Sequence, residues 1–404
     1  MSKYYRNLVK KLEEEIKSRF ICNDKVLRII ILNQLHTRAT TLFRAPRGSG
    51  KSTLMLLLLK GIYGSDFVVI SGASEVKRGE VLGRLHLPSL EKEGVERVVW
   101  AAFVKAEGKG LDEVNRLNPY TTANIYHMLQ FGEVWAYGHR YRVEDYTLIA
   151  NENPHDPTTF IHPPPFYDRF DICVYLRPLT LSEKFALQEI LEKHRGELVE
   201  SMPQVLSPED LKEIRKEVEE IEVDLEIRGL INTIVRDLQV CIRNRDLAEL
   251  KPLALCEGCH FIRDICSKIK EGPSERAGIV LTQLAKAKIW LEGSCTKDDI
   301  YDMLLWILPH RITLTKVKNI ISDLKEIIEM EKVKMRDRES RRQWYILNEL
   351  IKGFNRGLYN KAKEIALEDL VFAEELVHLE EKWIAEGLIK PEESIKYNLG
   401  IELM

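Results

Sequence analysis

The chain has 404 residues, 45% of them hydrophobic, enough for two or three domains with separate cores. Its net charge of -3 excludes a chain-wide positive field of the kind that marks a nucleic-acid binder, although local basic patches remain compatible with it. No apolar run reaches the roughly 18 residues a membrane span needs, and Met1-Ser2-Lys3-Tyr4-Tyr5-Arg6 leads into a charged helix rather than an apolar leader, so a cytoplasmic protein is expected.

Tyr5, Leu8, Leu12 and Ile16 recur at helical spacing and predict an amphipathic helix over residues 3–19. A second, apolar helix is expected over Val26 to Leu35. The short β-branched run Thr40-Thr41-Leu42-Phe43 then reads as a strand, and Leu54 to Leu59 as a helix. Between them lies Ala45-Pro46-Arg47-Gly48-Ser49-Gly50-Lys51-Ser52-Thr53. Strand, glycine-bearing loop and helix make the setting of a phosphate-binding loop. Gly48 and Gly50 let backbone N–H groups turn inward around an anion, and the helix N-terminus adds its orphan donors. Lys51 can reach the β- and γ-phosphates, and Ser52 can offer a hydroxyl to Mg2+. The first glycine of that pattern is replaced by Ala45.

Asp66 to Ser71 reads as a buried parallel strand, and helices of this length between strands argue for crossover units. Leu111-Asp112-Glu113-Val114-Asn115-Arg116 carries an acidic pair. In a nucleotide hydrolase the first carboxylate orients the magnesium shell and the second polarises the attacking water. The residues before it, Lys105 to Gly110, are too polar for an ordinary central strand. Either that strand is short and irregular, or its apolar part is Val98 to Val104. Glu133 to Val143 predicts a β-hairpin turning near Gly138. Thr147 to Pro154 predicts a strand, broken by proline, that leaves an asparagine at its C-terminal edge, where open α/β sheets bind ligands. Pro163 to Asp171 is a stiff loop ending in Asp168-Arg169-Phe170, and Ile172 to Leu176 is a further strand.

Beyond Pro178 the pattern is helical, with one helix opening at Ser182 to Phe185, a capped start at Ser207 and a charge-laced helix from Asp210 to Val223. Cys241, Cys256, Cys259 and Cys266 are four of the seven cysteines of the chain. Their spacing is compatible with a zinc site or an iron–sulfur cluster, with a disulfide, or with cysteines packed as small hydrophobes. Lys332 to Arg342 is mostly basic, as a solvated helix face or a surface for nucleic acid or an acidic partner. Leu370 to Leu379 is apolar and acidic at helical spacing.

The loop, the acidic pair with Asn115-Arg116, the hairpin, Ala150-Asn151-Glu152-Asn153-Pro154 and Asp168-Arg169-Phe170 occur in an order that resembles the MoxR family of AAA+ ATPases. Gly272 to Ala277 and Leu308 to Ile312 extend the resemblance over residues 22–315. It implies a parallel five-stranded AAA+ α/β domain over 21–178, preceded by an N-terminal helix over 1–20. A helical lid with a Cys-containing insertion over 179–315 and a C-terminal helical extension over 316–404 would follow. It implies Asp112 as the magnesium-site acid, Glu113 as catalytic base, Asn153 as sensor 1, Arg276 as sensor 2 and Arg169 as an arginine finger acting in trans. The glycine turn Val81-Leu82-Gly83-Arg84 would precede a helix-2 insertion near Leu85–Val99, and the hairpin would be the presensor hairpin. The expected activity is hydrolysis of ATP with Mg2+ in a homo-oligomeric, hexameric ring that remodels a client protein. A partner containing a von Willebrand factor A domain is expected beside it. A nucleic-acid motor, with His139, Arg140 and Arg142 at the hairpin tip touching a strand, and a non-hydrolysing nucleotide-gated scaffold are the alternatives.

Overall fold

The computed structural model describes residues 2–154, 156, 159–239, 265, 267–340 and 342–396. They gather into two compact units, Met1–Val223 with Ile279–Cys295, and Asp224–Gly278 with Thr296–Met404.

The first unit is built on nine strands: β1 (Ala39–Arg44), β2 (Phe67–Ser71), β3 (Gly83–Leu85), β4 (Val98–Trp100), β5 (Gly108–Asp112), β6 (Glu133–Ala136), β7 (His139–Arg142), β8 (Thr147–Glu152) and β9 (Ile172–Tyr175). Five of them form a sheet in the order β2-β5-β8-β1-β9, every neighbouring pair parallel. A parallel sheet covered on both faces needs apolar strands, and β8 is buried at every position. The register sets Arg44 beside Glu152 and Tyr175, and Ser71 beside Asp112. The C-terminal ends of all five strands therefore share one edge.

Around the sheet, Asn23 caps the helix Asp24–Gln34, with its side chain accepting from Lys25 N. The helix Lys51–Tyr63 is apolar on nearly all sides because it is buried on nearly all sides. Helices Leu181–Lys193 and Pro208–Glu219 both open with capping boxes, Thr180 with Glu183 and Ser207 with Asp210. The second is not a wholly solvated face: Leu211, Ile214 and Val218 are buried, and Arg215 bonds Asp145, Thr147 and the Gln34 carbonyl. From the return segment, Trp290 donates to Glu217 and lies under the Arg6 guanidinium, Lys286 bonds the Glu219 carbonyl, and Glu292 meets Arg28.

The polar approach to Asp112 is itself the interior strand β5, between β2 and β8. Of the two expectations for it, the short strand is present, whereas the apolar run Val98 to Val104 is not part of the sheet. Val98–Trp100 pairs antiparallel with Gly83–Leu85, and Ala102–Lys105 is helical. Glycines replace apolar side chains in β5 because the layers approach closely. A Cβ at Gly110 would stand 2.8 Å from Val69 Cγ2, and one at Gly108 2.6 Å from Tyr63 Cδ2. Lys109 is fully buried, yet its ammonium donates to the Phe103, Val104 and Ala106 carbonyls and lies against the Phe103 and Tyr146 rings. Burial pushes its pKa down to about 7.

The second unit is mainly helical, with one short antiparallel pair, Ile269–Glu271 with Thr313–Leu314. Ile346, Leu350, Tyr359, Leu376 and Trp383 form a core between the helices Gln343–Lys352, Arg356–Ala366 and Leu370–Ala385. In the basic stretch before them, Arg338 is not on a solvated face: it is 4% exposed and bonds both Asp237 and Asp369. Glu331, also buried, faces Asp237, and burial together with that like charge holds its pKa well above the usual carboxylate range. No helix among the described residues is long and apolar enough to cross a membrane.

Candidate nucleotide site

The loop between β1 and the helix Lys51–Tyr63 follows from its glycines. Gly48 and Gly50 take φ of 75° and 80°, which side-chain-bearing residues rarely adopt. A Cβ on Gly48 would meet nothing within 4 Å, so the loop is open there. One on Gly50 would stand 2.8 Å from the ring of Phe20, which therefore lies directly against the loop. Lys51, 9% exposed, folds its ammonium onto the Ala45 and Pro46 carbonyls at 2.8 and 2.9 Å. Burial lowers its pKa, against the pull of Asp112 and Glu113. Ser49 Oγ closes the loop on the Pro46 carbonyl, and Ser52 and Thr53 lie in the first helical turn.

Ser52 Oγ donates to Asp112 Oδ1 at 2.9 Å, joining the loop to the end of β5. Asn151, fully buried on β8, reaches Ser52 and the residue after Asp112: its Oδ1 accepts from Glu113 N at 2.9 Å, and its Nδ2 lies 3.4 Å from Ser52 Oγ. Glu113 sits just past the strand in the left-handed region at φ 52°, with its side chain 39% exposed. A hydroxyl, a carboxylate and a second, freer carboxylate thus stand beside a loop shaped for phosphate. That donor set suits Mg2+, which takes one or two carboxylates and completes its shell with water and substrate phosphates.

Asn153 follows β8, and its carbonyl accepts from Asn115 Nδ2 at 3.0 Å and from the Asp156 amide. Arg47 pairs with Asp156 at 2.8 Å. Arg169 is engaged within its own chain: it bonds Gln130 and the Pro165 carbonyl, lies 3.6 Å from Asp168 and stacks over Tyr126 at 4.4 Å. Arg276 opens the helix Arg276–Glu292 and belongs to the second unit. At the hairpin, Arg140 pairs with Glu133, and His139 and Arg142 are exposed. Cys241, Cys256, Cys259 and Cys266 all lie outside the described residues, so neither zinc nor an iron–sulfur cluster has support here. Among the described residues, no three His, Cys, Asp or Glu side chains gather as a metal site.

Sequence reasoning did not single out Asn151, Phe20 or Asp156. Asn151 is visible as the first asparagine of Asn151-Glu152-Asn153, but only the pairing of β8 between β1 and β5 brings it to Ser52 and Glu113.

Comparison with known proteins agrees with this architecture. Residues 42–170 match the AAA domain, dynein-related subfamily, which implies nucleotide and Mg2+ use. The chain is 24% identical over 303 residues to "Uncharacterized protein YeaC" of Bacillus subtilis (strain 168), covering 74% of this chain and 84% of that protein. In fold it is similar to the crystal structure of a "putative ATPase" from Cytophaga hutchinsonii, at a TM-score of 0.64 and 21% identity, covering 82% of this chain and 96% of the other. The phosphate-type loop, the acid at the end of β5 and the five-stranded parallel sheet with its C-terminal helices together constitute an AAA+ α/β fold.

Proposed function

We propose that the protein is a MoxR-like AAA+ ATPase that binds ATP with Mg2+ at the loop Ala45–Thr53 and uses its hydrolysis, in a ring of identical subunits, to remodel a client protein. The observation that carries this reading is the Ser52–Asp112 hydrogen bond with Glu113 held beside it through Asn151. In use, Gly48 to Ser52 would cradle the phosphates, and Lys51 would exchange the loop carbonyls for phosphate oxygens. Ser52 and Asp112 would hold the Mg2+, whose role when bound is to neutralise charge developing on the transferred phosphoryl group. Glu113 would orient the attacking water. Asn153 would sense the γ-phosphate, Arg276 would act from the helical part, and Arg169 would reach the neighbouring subunit's nucleotide on leaving its seat at Tyr126 and Gln130. A vWA-domain partner belongs to the same reading, as does a cytoplasmic location.

The test is phosphate release from ATP and Mg2+ by wild type and Glu113→Gln over a range of protein concentration. A wild-type rate per subunit that climbs with concentration, with a dead variant, supports a catalytic Glu113 in a shared site. Equal release by both proteins removes Glu113 from the chemistry. Concentration-driven assembly without release in any condition favours the nucleotide-gated scaffold instead.

A further inference from the structure

The Glu113 carboxylate already has a partner. Arg116, three residues on, places Nη1 3.1 Å from Glu113 Oε2 and Nη2 2.8 Å from Asp156 Oδ2. One guanidinium holds both acids because its donors spread in a fixed planar fork. The acids differ in freedom, the Asp156 side chain being 2% exposed and that of Glu113 39%. Asp156 is further fixed through its backbone, its amide donating to Asn153 O and its carbonyl accepting from Thr159 Oγ1. Asp156 is thus the anchored end and Glu113 the end that moves. The anchor also touches the phosphate loop, since Arg47 Nη2 lies 2.8 Å from the same Asp156 oxygen.

Resting on the reading of Glu113 as the base, we propose that Arg116, anchored by Asp156, is a positioning residue that restrains Glu113 and keeps basal turnover low. A general base has to present a lone pair to water, and an oxygen held by a guanidinium presents it elsewhere. Release needs no backbone motion, because the Glu113 amide is fixed by Asn151 and only the side chain has to turn. The restraint is modest: an ion pair this exposed shifts an equilibrium by at most about fivefold. A latch of that strength yields readily to assembly or to a bound nucleotide.

Steady-state ATP hydrolysis by the full-length chain tests it, with Arg116→Gln, Arg116→Lys, Asp156→Asn and Glu113→Gln measured beside wild type. Arg116→Gln is expected to raise kcat about two- to fivefold with KM unchanged. Asp156→Asn raises kcat in the same direction, and Arg116→Lys, which keeps the charge but not the fork, falls between wild type and the glutamine variant. A merely structural arginine would instead lower kcat or raise KM on removal. If wild type is active, Glu113→Gln is dead, and Arg116→Gln and Asp156→Asn are no faster than wild type, the latch is overturned and the ATPase reading stands. Wild-type turnover by Glu113→Gln removes the base assignment and the latch with it. A silent Arg116→Gln beside a silent wild type overturns the latch too, because release was to expose a working base.

Discussion

Lys109 gives the interior strand β5 a pH dependence that its replacement should abolish. Its pKa is ordinarily 10.5 and is pushed down to about 7 by burial. Below pH 7 the lysine is protonated in both folded and unfolded chains. Between about 7 and 10.5 only the unfolded chain keeps the proton, so stability rises with pH across that window. The slope approaches about 1.4 kcal/mol per pH unit, and integration from pH 7 to 9 gives about 2 kcal/mol. Lys109→Met keeps an unbranched stem of similar length without the titration. It also strips a donor from three backbone carbonyls, which costs roughly 1–3 kcal/mol at every pH and offsets the curve without tilting it. Urea unfolding of both proteins at pH 7, 8 and 9 should show wild type gaining about 2 kcal/mol on the variant. A difference that stays constant from pH 7 to 9 refutes the buried, proton-shedding lysine.

Three further outcomes follow from close contacts and buried charge. A Cβ at Gly72 would stand 2.0 Å from the Glu113 carbonyl oxygen, so Gly72→Ala must displace Glu113. On the proposed reading of Glu113 as the base, a shift of that order costs about a hundredfold in kcat, with ADP affinity by calorimetry nearly unchanged; matched losses in both would show general damage instead. Glu331 has a raised folded pKa, so the stability it contributes is present below the ordinary glutamate range and is lost as pH rises towards its folded value. Glu331→Gln should therefore gain on wild type in thermal unfolding between pH 5 and 8, and parallel curves would contradict this. Glu152 accepts from Arg44 at 2.6 Å and from Tyr167 at 3.0 Å while nearly buried. Glu152→Ala strands the Arg44 charge and should cost about 3–5 kcal/mol in urea unfolding, and a loss under 1 kcal/mol would show that Arg44 finds water.

What the sequence disclosed, it disclosed through local signals. The phosphate loop, the hairpin and the strands β1, β2, β8 and β9 announce themselves through glycine, β-branching and proline, each acting within a few residues. Lys51, Ser52, Asp112 and Glu113 were legible for the same reason, and the sheet brings them together. β5 was hard to read because its character is set by its neighbours: the glycines make room for Val69, Met55 and Tyr63, and the lysine is solvated by the chain that precedes it. The Arg47–Asp156–Arg116 cluster spans 109 residues of chain between Arg47 and Asp156, beyond the reach of any periodicity. Arg338 shows the converse, a charge that reads as solvated until Asp237, from the helix Leu225–Leu238, and Asp369, just before the helix Leu370–Ala385, come to it.

The return of residues 279–295 to the first unit has a consequence for how the protein is made. The phosphate loop and all five sheet strands precede residue 176, and the N-terminal part of the unit is complete at Val223. Another 72 residues must leave the ribosome before the segment ending at Cys295 is available. At about 5–20 residues per second that interval is roughly 4–14 s. Throughout it, the places that Trp290, Lys286 and Glu292 will take beside Arg6, Glu217, Glu219 and Arg28 stand open to solvent and to other chains. The nascent protein therefore finishes its phosphate loop well before it finishes the unit that carries it, with a window in which chaperone capture or mispairing with a neighbouring nascent copy competes with closure.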